Sequence, residues 1–259
     1  MIGQINLIEK LNNFTYETLP QTIMFVGKKG CGKHTVINML STKFNVEIKN
    51  ISNKLNYEQV IEYNLNVNPC FYLIDKKLNI NEQNSLLKFI EEPPTISKII
   101  ILTENENCLL ETIIGRCQKF VFEKYSKEEL KQFVNDDELL NYVETPGEIL
   151  SFKNNSDWVF ELCDSILTKI DFANIPNILT ISNKLNFEND DGFDIDVFMK
   201  ILITKCFNYI GKNEKYFKAY FTLKTFYDKM NIVNVDKQKL FELCLLQLKI
   251  DLRNEHTGT

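Results

Sequence analysis

Apolar positions in this chain follow two regimes. In the first half they gather in short unbroken runs: Gln21–Val26 (QTIMFV), Cys70–Ile74 (CFYLI) and Ile99–Leu102 (IIIL). Runs of this length and composition read as strands buried on both faces, which implies a parallel sheet covered by helices. Between the runs the period changes. Val36, Ile37, Met39 and Leu40 fall at helical spacing, as does the segment Asn81–Glu91, which stops at Pro93-Pro94 because a proline ring cannot continue a helix. Ile5, Leu7, Ile8 and Leu11 predict a short amphipathic helix over 5–13, and Phe120-Val121-Phe122 one more strand.

After about residue 123 the pattern becomes helical. Ser126-Lys127-Glu128-Glu129 has the form of a capping box that opens a helix, and Pro146-Gly147 is expected to interrupt the next one. From Asp157 onward Val159, Leu162, Cys163, Ile166, Leu167 and Ile170 keep the i, i+3, i+4 rhythm. Further helices are expected near 175–185, 194–210, 214–230 and 236–252, with Asn189-Asp190-Asp191-Gly192 as a polar loop. The last helix is apolar around most of its circumference, as in a bundle core or a surface shared with another subunit. These changes of character divide the chain into 1–124, 125–152 and 157–259.

With 259 residues there is room for a substantial core, and the apolar (44%) and charged (25%) fractions are those of a soluble globular protein. No apolar run approaches the roughly 20 residues that span a bilayer, and Met1–Lys10 mixes Gln4, Asn6 and Glu9 into its apolar positions, unlike a signal peptide. A cytoplasmic protein with no membrane partner is the expectation. The net charge of −5 argues against a protein that coats DNA with its whole surface, while leaving room for local phosphate contacts within an assembly. The seven cysteines form no C-x-x-C pair, so neither zinc nor a disulfide framework is expected. Basic residues are nearly all lysine. The two arginines, Arg116 and Arg253, therefore carry more information than usual, because a guanidinium keeps its charge and offers a planar fork of donors.

One loop carries recognisable chemistry. Gly27-Lys28-Lys29-Gly30-Cys31-Gly32-Lys33 lies between a strand and a helix, the context in which successive backbone N–H groups and a helix N-terminus cradle a phosphate chain. Gly27, Gly30, Cys31, Gly32 and Lys33 are the candidate contacts, with His34 and Thr35 next to them. A phosphate loop normally continues with Ser or Thr, whose hydroxyl ligates magnesium. His34 stands there instead, and imidazole suits that hard cation poorly. Asp75, at the end of its apolar strand, is the candidate for the second magnesium-linked carboxylate.

The stretch Asn84-Ser85-Leu86-Leu87-Lys88-Phe89-Ile90-Glu91-Glu92-Pro93-Pro94 closely resembles the N-A-L-L-K-x-L-E-E-P-P signature of bacterial DNA polymerase III clamp-loader AAA+ subunits. Downstream, Leu109-Leu110-Glu111-Thr112-Ile113-Ile114-Gly115-Arg116-Cys117-Gln118 is similar to the L-L-x-T-I-x-S-R-C-Q segment of the same family, and Ile2-Gly3-Gln4 to its opening I-G-Q box. The motifs occur in the family's order within about the first 120 residues; the remainder resembles the family only in length and helix content.

The resemblance implies an α/β fold: an AAA+ P-loop core with a parallel sheet at 1–124, a small helical lid at 125–152, and an all-α collar at 157–259 that oligomerises. It implies that Arg116 is an arginine finger reaching a neighbour's γ-phosphate, with Gly115 in place of the family's Ser. Thr103, or Asn105 just beyond it, takes the sensor 1 position, and Glu148 stands where the sensor 2 arginine belongs. Hydrolysing relatives follow the aspartate with a glutamate that activates water; here Lys76 follows, and loss of a general base costs about 10²–10⁴-fold in rate. The pattern is that of the delta-prime type: ATP held weakly and not hydrolysed, magnesium poorly served, and an arginine retained. Implied partners are the motor ATPase and delta-like subunits, the sliding clamp, and primer–template DNA through the complex. Two other readings stay open: an active motor ATPase that uses Thr35 for magnesium, and a purely structural interaction module.

Overall fold

The computed structural model describes residues 3–51, 59, 62–63, 67–134, 136–152, 156–170, 172–185, 194–211, 213–230 and 235–253. Ile2 of the opening box and the expected polar loop Asn189–Gly192 lie outside them. The three apolar runs form the middle of one five-stranded sheet. Its strands are β1 (Thr22–Val26), β2 (Glu47–Asn50), β3 (Cys70–Ile74), β4 (Lys98–Thr103) and β5 (Gln118–Val121), in the order β2-β3-β4-β1-β5. Every pairing is parallel, with Met24 opposite Ile101 across β1–β4 and Tyr72 opposite Ile99 across β3–β4.

Alternation along these strands explains why they are apolar throughout. Ile23, Phe25, Phe71, Leu73, Ile100 and Leu102 point to one face, where they meet Leu7 and Leu11 of α1 (Ile5–Asn12) and Val36, Ile37 and Leu40 of α2 (Lys33–Phe44). Tyr72, Ile74, Ile99 and Ile101 point to the other, against Leu86, Phe89 and Ile90 of α3 (Ile80–Glu91) and Ile113 of α4 (Glu111–Ile114). A central strand in such a layered unit has no solvent face on which a polar residue could sit.

Two strands depart from the sequence pattern. The sequence does not announce β2: its four residues, Glu47-Ile48-Lys49-Asn50, hold one apolar side chain, and among the described residues it pairs only with β3. β5 starts at Gln118, and Phe122 falls beyond it, although its N–H still donates to Val26 O at 2.8 Å.

The turn after α3 is fixed from beneath. Gln21 Nε2 donates to the carbonyls of Pro94 and Ser97, and Tyr16 Oη donates to Ile96 O at 2.7 Å. The buried Lys98 ammonium lies 5.4 Å from the centre of the Tyr16 ring and donates to Gln21 Oε1 at 3.3 Å. Burial lowers its hold on the proton.

After β5 the Ser126 capping box forms, with the Glu129 N–H donating to the serine hydroxyl, but it opens only the single turn α5 (Lys127–Leu130). Pro146-Gly147 does not interrupt a helix; it begins one, α6 (Pro146–Phe152). At a first helical position the missing proline N–H costs nothing and the fixed φ is already helical.

Two compact units result: Met1–Gln132 with Thr145–Gly147, and Phe133–Glu144 with Glu148–Thr259. The second is helical, with α7 (Ser156–Lys169), α8 (Ile175–Leu185), α9 (Ile195–Ile210), α10 (Lys215–Met230) and α11 (Lys237–Leu252). No helix among the described residues is long and apolar enough to cross a membrane.

α9 is the hub of this unit, burying Val197, Phe198, Ile201, Leu202 and Cys206, with Phe198 edge-on to Phe241 of α11 at 5.6 Å. α11 buries Phe241, Cys244, Leu245, Leu248 and Leu252 but leaves Leu243 and Ile250 exposed. It also buries Asp251, whose carboxylate accepts from Thr222 Oγ1 at 2.6 Å and Gln247 Nε2 at 3.0 Å and lies 3.5 Å from Lys218 Nζ. Removing that acceptor leaves the part-buried Thr222 and Gln247 donors without it, a cost of about 1 kcal/mol. Asp251→Ala is therefore expected to lower the urea midpoint by that amount of stability, with α10 and α11 losing amide-exchange protection first.

Candidate functional site

β1 hands the chain to the phosphate-type loop at the carboxyl edge of the sheet, and β4 supports its first residue: Gly27 N–H donates to Thr103 O at 3.0 Å. Gly30 (φ +76°) and Gly32 (φ +100°) adopt left-handed backbone that side chains rarely tolerate. Gly27 is needed for space, since a Cβ there would sit 2.8 Å from Cys31 Sγ and from Phe122 Cβ. Cys31 fills the underside of the loop, where burial pushes its thiol pKa up, and its carbonyl accepts from Tyr125 Oη at 2.9 Å. Gly32 caps α2 without a side chain, so the amides at the start of this 12-residue helix keep the arrangement that suits an anion.

The side chains around the loop are engaged with protein groups. Lys33 is buried, and its ammonium donates to Gly27 O and, at 2.9 Å, to Lys28 O. His34 Nε2 and Asp75 Oδ2 are 2.8 Å apart, so the residue at the magnesium-hydroxyl position is bonded directly to the carboxylate expected to share the metal. Thr35 is exposed one position further along α2. Lys76 pairs with Glu82 Oε1 at 2.7 Å. Thr103 Oγ1 donates to Asn105 O at 2.9 Å and accepts from Asn105 N–H at 3.2 Å, while Asn105 Oδ1 accepts from Asn107 N–H at 3.0 Å. Both candidates for the sensor position thus serve their own turn.

A cavity of about 500 Å³ opens beside the His34–Asp75 pair, walled by Ile37 and Asn38 of α2, Ile48 of β2 and Leu73 of β3. Among the described residues, no group of three or more His, Cys, Asp or Glu is placed to hold a metal ion.

The tip of the loop is covered by a segment that the sequence pattern does not bring to it. Thr145 Oγ1 donates to Lys29 O at 3.1 Å, and Gly147 N–H donates to Gly30 O at 3.0 Å. Two glycine backbones meet there: a Cβ on Gly147 would lie 2.4 Å from Gly30 Cα. The sequence signals were the Pro146-Gly147 pair, in which glycine permits close backbone approach, and the sensor 2 position that the resemblance gives to Glu148. Glu148, in the second unit, accepts from Glu144 N–H at 2.6 Å and lies 3.6 Å from Lys200 Nζ.

Arg116 sits where α4 ends. Its Nη1 donates to Thr112 O at 2.9 Å and its Nη2 lies 2.9 Å from Glu91 Oε1, the last residue of α3. Both side chains are close to half exposed, 42% for the arginine and 48% for the glutamate. Gly115 has ordinary helical backbone (φ −65°, ψ −15°), so the position does not require glycine by conformation. Cys117 is partly buried, which pushes its thiol up to about 11 and keeps it protonated at neutral pH. The pairing of Arg116 with Glu91 was not apparent from the sequence, although both residues lie in the motifs that carry the resemblance.

The comparisons with known proteins converge on this geometry. The family model described as DNA polymerase III, delta subunit, matches residues 58–126, the span that holds Asp75, Glu91 and Arg116. DNA polymerase III subunit delta' of Bacillus subtilis (strain 168) is 26% identical over 147 residues, covering 43% of this chain. The match spans 45% of that relative's own length. A crystal structure of a DNA polymerase III gamma subunit-related protein from Thermotoga maritima aligns over 96% of this chain and 100% of its own, with a TM-score of 0.50 and 13% identity. The fold, a parallel five-stranded sheet with a glycine loop after β1 and a helical unit following, is shared with that gamma subunit-related protein. Over part of its length the chain is similar to delta-type subunits of DNA polymerase III.

The contact between Gly30 and Gly147 has a direct test. Gly147→Ala forces backbone apart and is expected to cost about 1–3 kcal/mol, in the range of overpacking. Gly211→Ala is the control: it caps α9 in helical conformation with nothing within 4 Å of the added methyl. It should stabilise by about 0.4–1 kcal/mol. Urea denaturation of the two variants reads the opposite signs.

Proposed function

We propose that this chain is a delta-prime-like subunit of a DNA sliding-clamp loader that does not hydrolyse ATP itself and lends Arg116 to the ATP site of a neighbouring motor subunit. The observation that carries the reading is an asymmetry between two sites. At its own loop the parts that hydrolysis needs are altered or engaged: His34 is bonded to Asp75, Lys76 to Glu82, and Lys33 to loop carbonyls. Arg116, by contrast, stands half exposed, with one of the five N–H donors of a guanidinium given to Thr112 O and its charge paired with Glu91. A cation held in that way can meet a phosphate supplied by another molecule.

The loop backbone keeps a shape that can hold a phosphate chain, so ATP binding in this reading is weak and unproductive, through Gly27, Gly30, Cys31, Gly32 and Lys33. His34 and Thr35 flank that contact, Asp75 and Thr103 border it, and magnesium has a poor seat because an imidazole replaces the hydroxyl ligand. Residues 1–124 act as the core, 125–152 as a lid and 157–259 as the collar that joins companion subunits. The assembly is cytoplasmic; the chain meets the sliding clamp and a primer–template junction as part of it.

The test is a reconstituted loader containing this chain. Arg116→Ala is expected to lower the neighbour's ATP turnover by about 10³-fold or more, the scale of an arginine supplied in trans, with the complex still assembled. Lys33→Ala should leave turnover near the wild-type value. An unchanged rate in Arg116→Ala would overturn the proposal in favour of a structural module. Turnover by the isolated chain that is lost in Lys33→Ala would overturn it in favour of a motor ATPase.

A further inference from the structure

We propose that Glu91 is the positioning residue for Arg116, an inference that rests on the arginine-finger reading above and gives part of the Glu91-Glu92-Pro93-Pro94 motif a chemical task. Glu91 is the last residue of α3 and Arg116 lies just past α4, so the ion pair joins the carboxyl ends of two helices. A carboxylate at a helix C-terminus faces the negative end of the helix dipole and is unfavourable there unless a cation comes to it. The last carbonyls of a short helix also lack intrahelical donors. One guanidinium meets both needs, with Nη2 2.9 Å from Glu91 Oε1 and Nη1 donating to Thr112 O at 2.9 Å.

These two contacts lie on different nitrogens of a planar fork, so together they fix the plane as well as the position of the charge. A single contact would leave the plane free to turn about the side-chain axis. A guanidinium has five N–H donors, so these contacts leave donors for a further acceptor. The carboxylate itself has a firm base. The Pro93-Pro94 turn that follows α3 is pinned by Gln21 through the Pro94 and Ser97 carbonyls, and Ile90, next to Glu91, is buried against the sheet. The pair is half exposed, and ion pairs in water are weak. It orients the arginine without trapping it, and the guanidinium can turn its remaining donors toward a stronger anion.

The experiment uses the reconstituted loader and four versions of this chain: Arg116→Ala, Glu91→Ala, Glu91→Gln, and the double variant Arg116→Ala/Glu91→Ala. Glu91→Ala is expected to lower the neighbour's kcat by roughly tenfold to a hundredfold, the scale of a small misplacement of a catalytic group. KM and assembly by size exclusion should stay near wild type. Glu91→Gln, which keeps an acceptor for Nη2, should lie between Glu91→Ala and wild type.

The double variant should be no slower than Arg116→Ala alone, because a positioning residue has nothing to act on once its target is gone. A Glu91→Ala loader as fast as wild type, or faster, overturns the positioning role provided Arg116→Ala is slow. Additive losses in the double variant overturn it as well, by showing that Glu91 acts apart from the arginine. If Arg116→Ala itself is fast, the finger reading fails first, and this inference falls with it.

Discussion

The pairing of β1 with β4 is the constraint on which the rest of the site depends. It places two apolar strands side by side in parallel and brings their carboxyl ends to one edge, where the last rung runs from Gly27 N–H to Thr103 O. β1 is also where the order of the sheet reverses: the chain leaves it for the distant edge at β2, works back through β3 and β4, and then adds β5 on the other flank. In open α/β sheets such a reversal opens a crevice beyond the strand ends, and ligands collect there. The glycine loop, Asp75 and Thr103 all lie at this edge because three strands end there in register.

At that edge nearly every group with hydrolytic potential has found an internal partner. Burying Lys33 would be expensive without the two loop carbonyls that accept from its ammonium. The His34–Asp75 contact is less costly, being half exposed, and it joins the residue at the expected magnesium-hydroxyl position to the carboxylate expected to share that metal. In the proposed reading, a triphosphate would have to displace these bonds, and each displacement would subtract from its binding energy. The loop backbone keeps its left-handed glycines while the side chains beside it bond to one another and to loop carbonyls.

The sequence made the central strands legible because burial on both faces leaves no polar residue among their positions, and it made the loop legible because few arrangements other than a phosphate cradle put glycines in that spacing between strand and helix. It concealed β2, whose Glu47, Lys49 and Asn50 look like loop residues since a strand at the rim needs only one apolar side chain. It misled at Pro146-Gly147, where the same residues that break a helix internally also start one. Arg116 was visible through its motif and its rarity. Its partner Glu91 was not, because an ion pair between two helix ends depends on how α3 and α4 meet, and neither period nor composition records that angle.

Lys76, which stands where the resemblance expects a water-activating glutamate, also supports the start of α3. Its ammonium holds Glu82 Oε1, while Oε2 of the same carboxylate accepts from the Asn79 N–H and closes the capping box of α3. Putting a glutamate at position 76 would restore a water-activating group on paper, yet it would set like charges together and withdraw support from the start of the very helix whose far end carries Glu91. In the proposed reading, a change at position 76 therefore reaches the helix that carries the partner of Arg116.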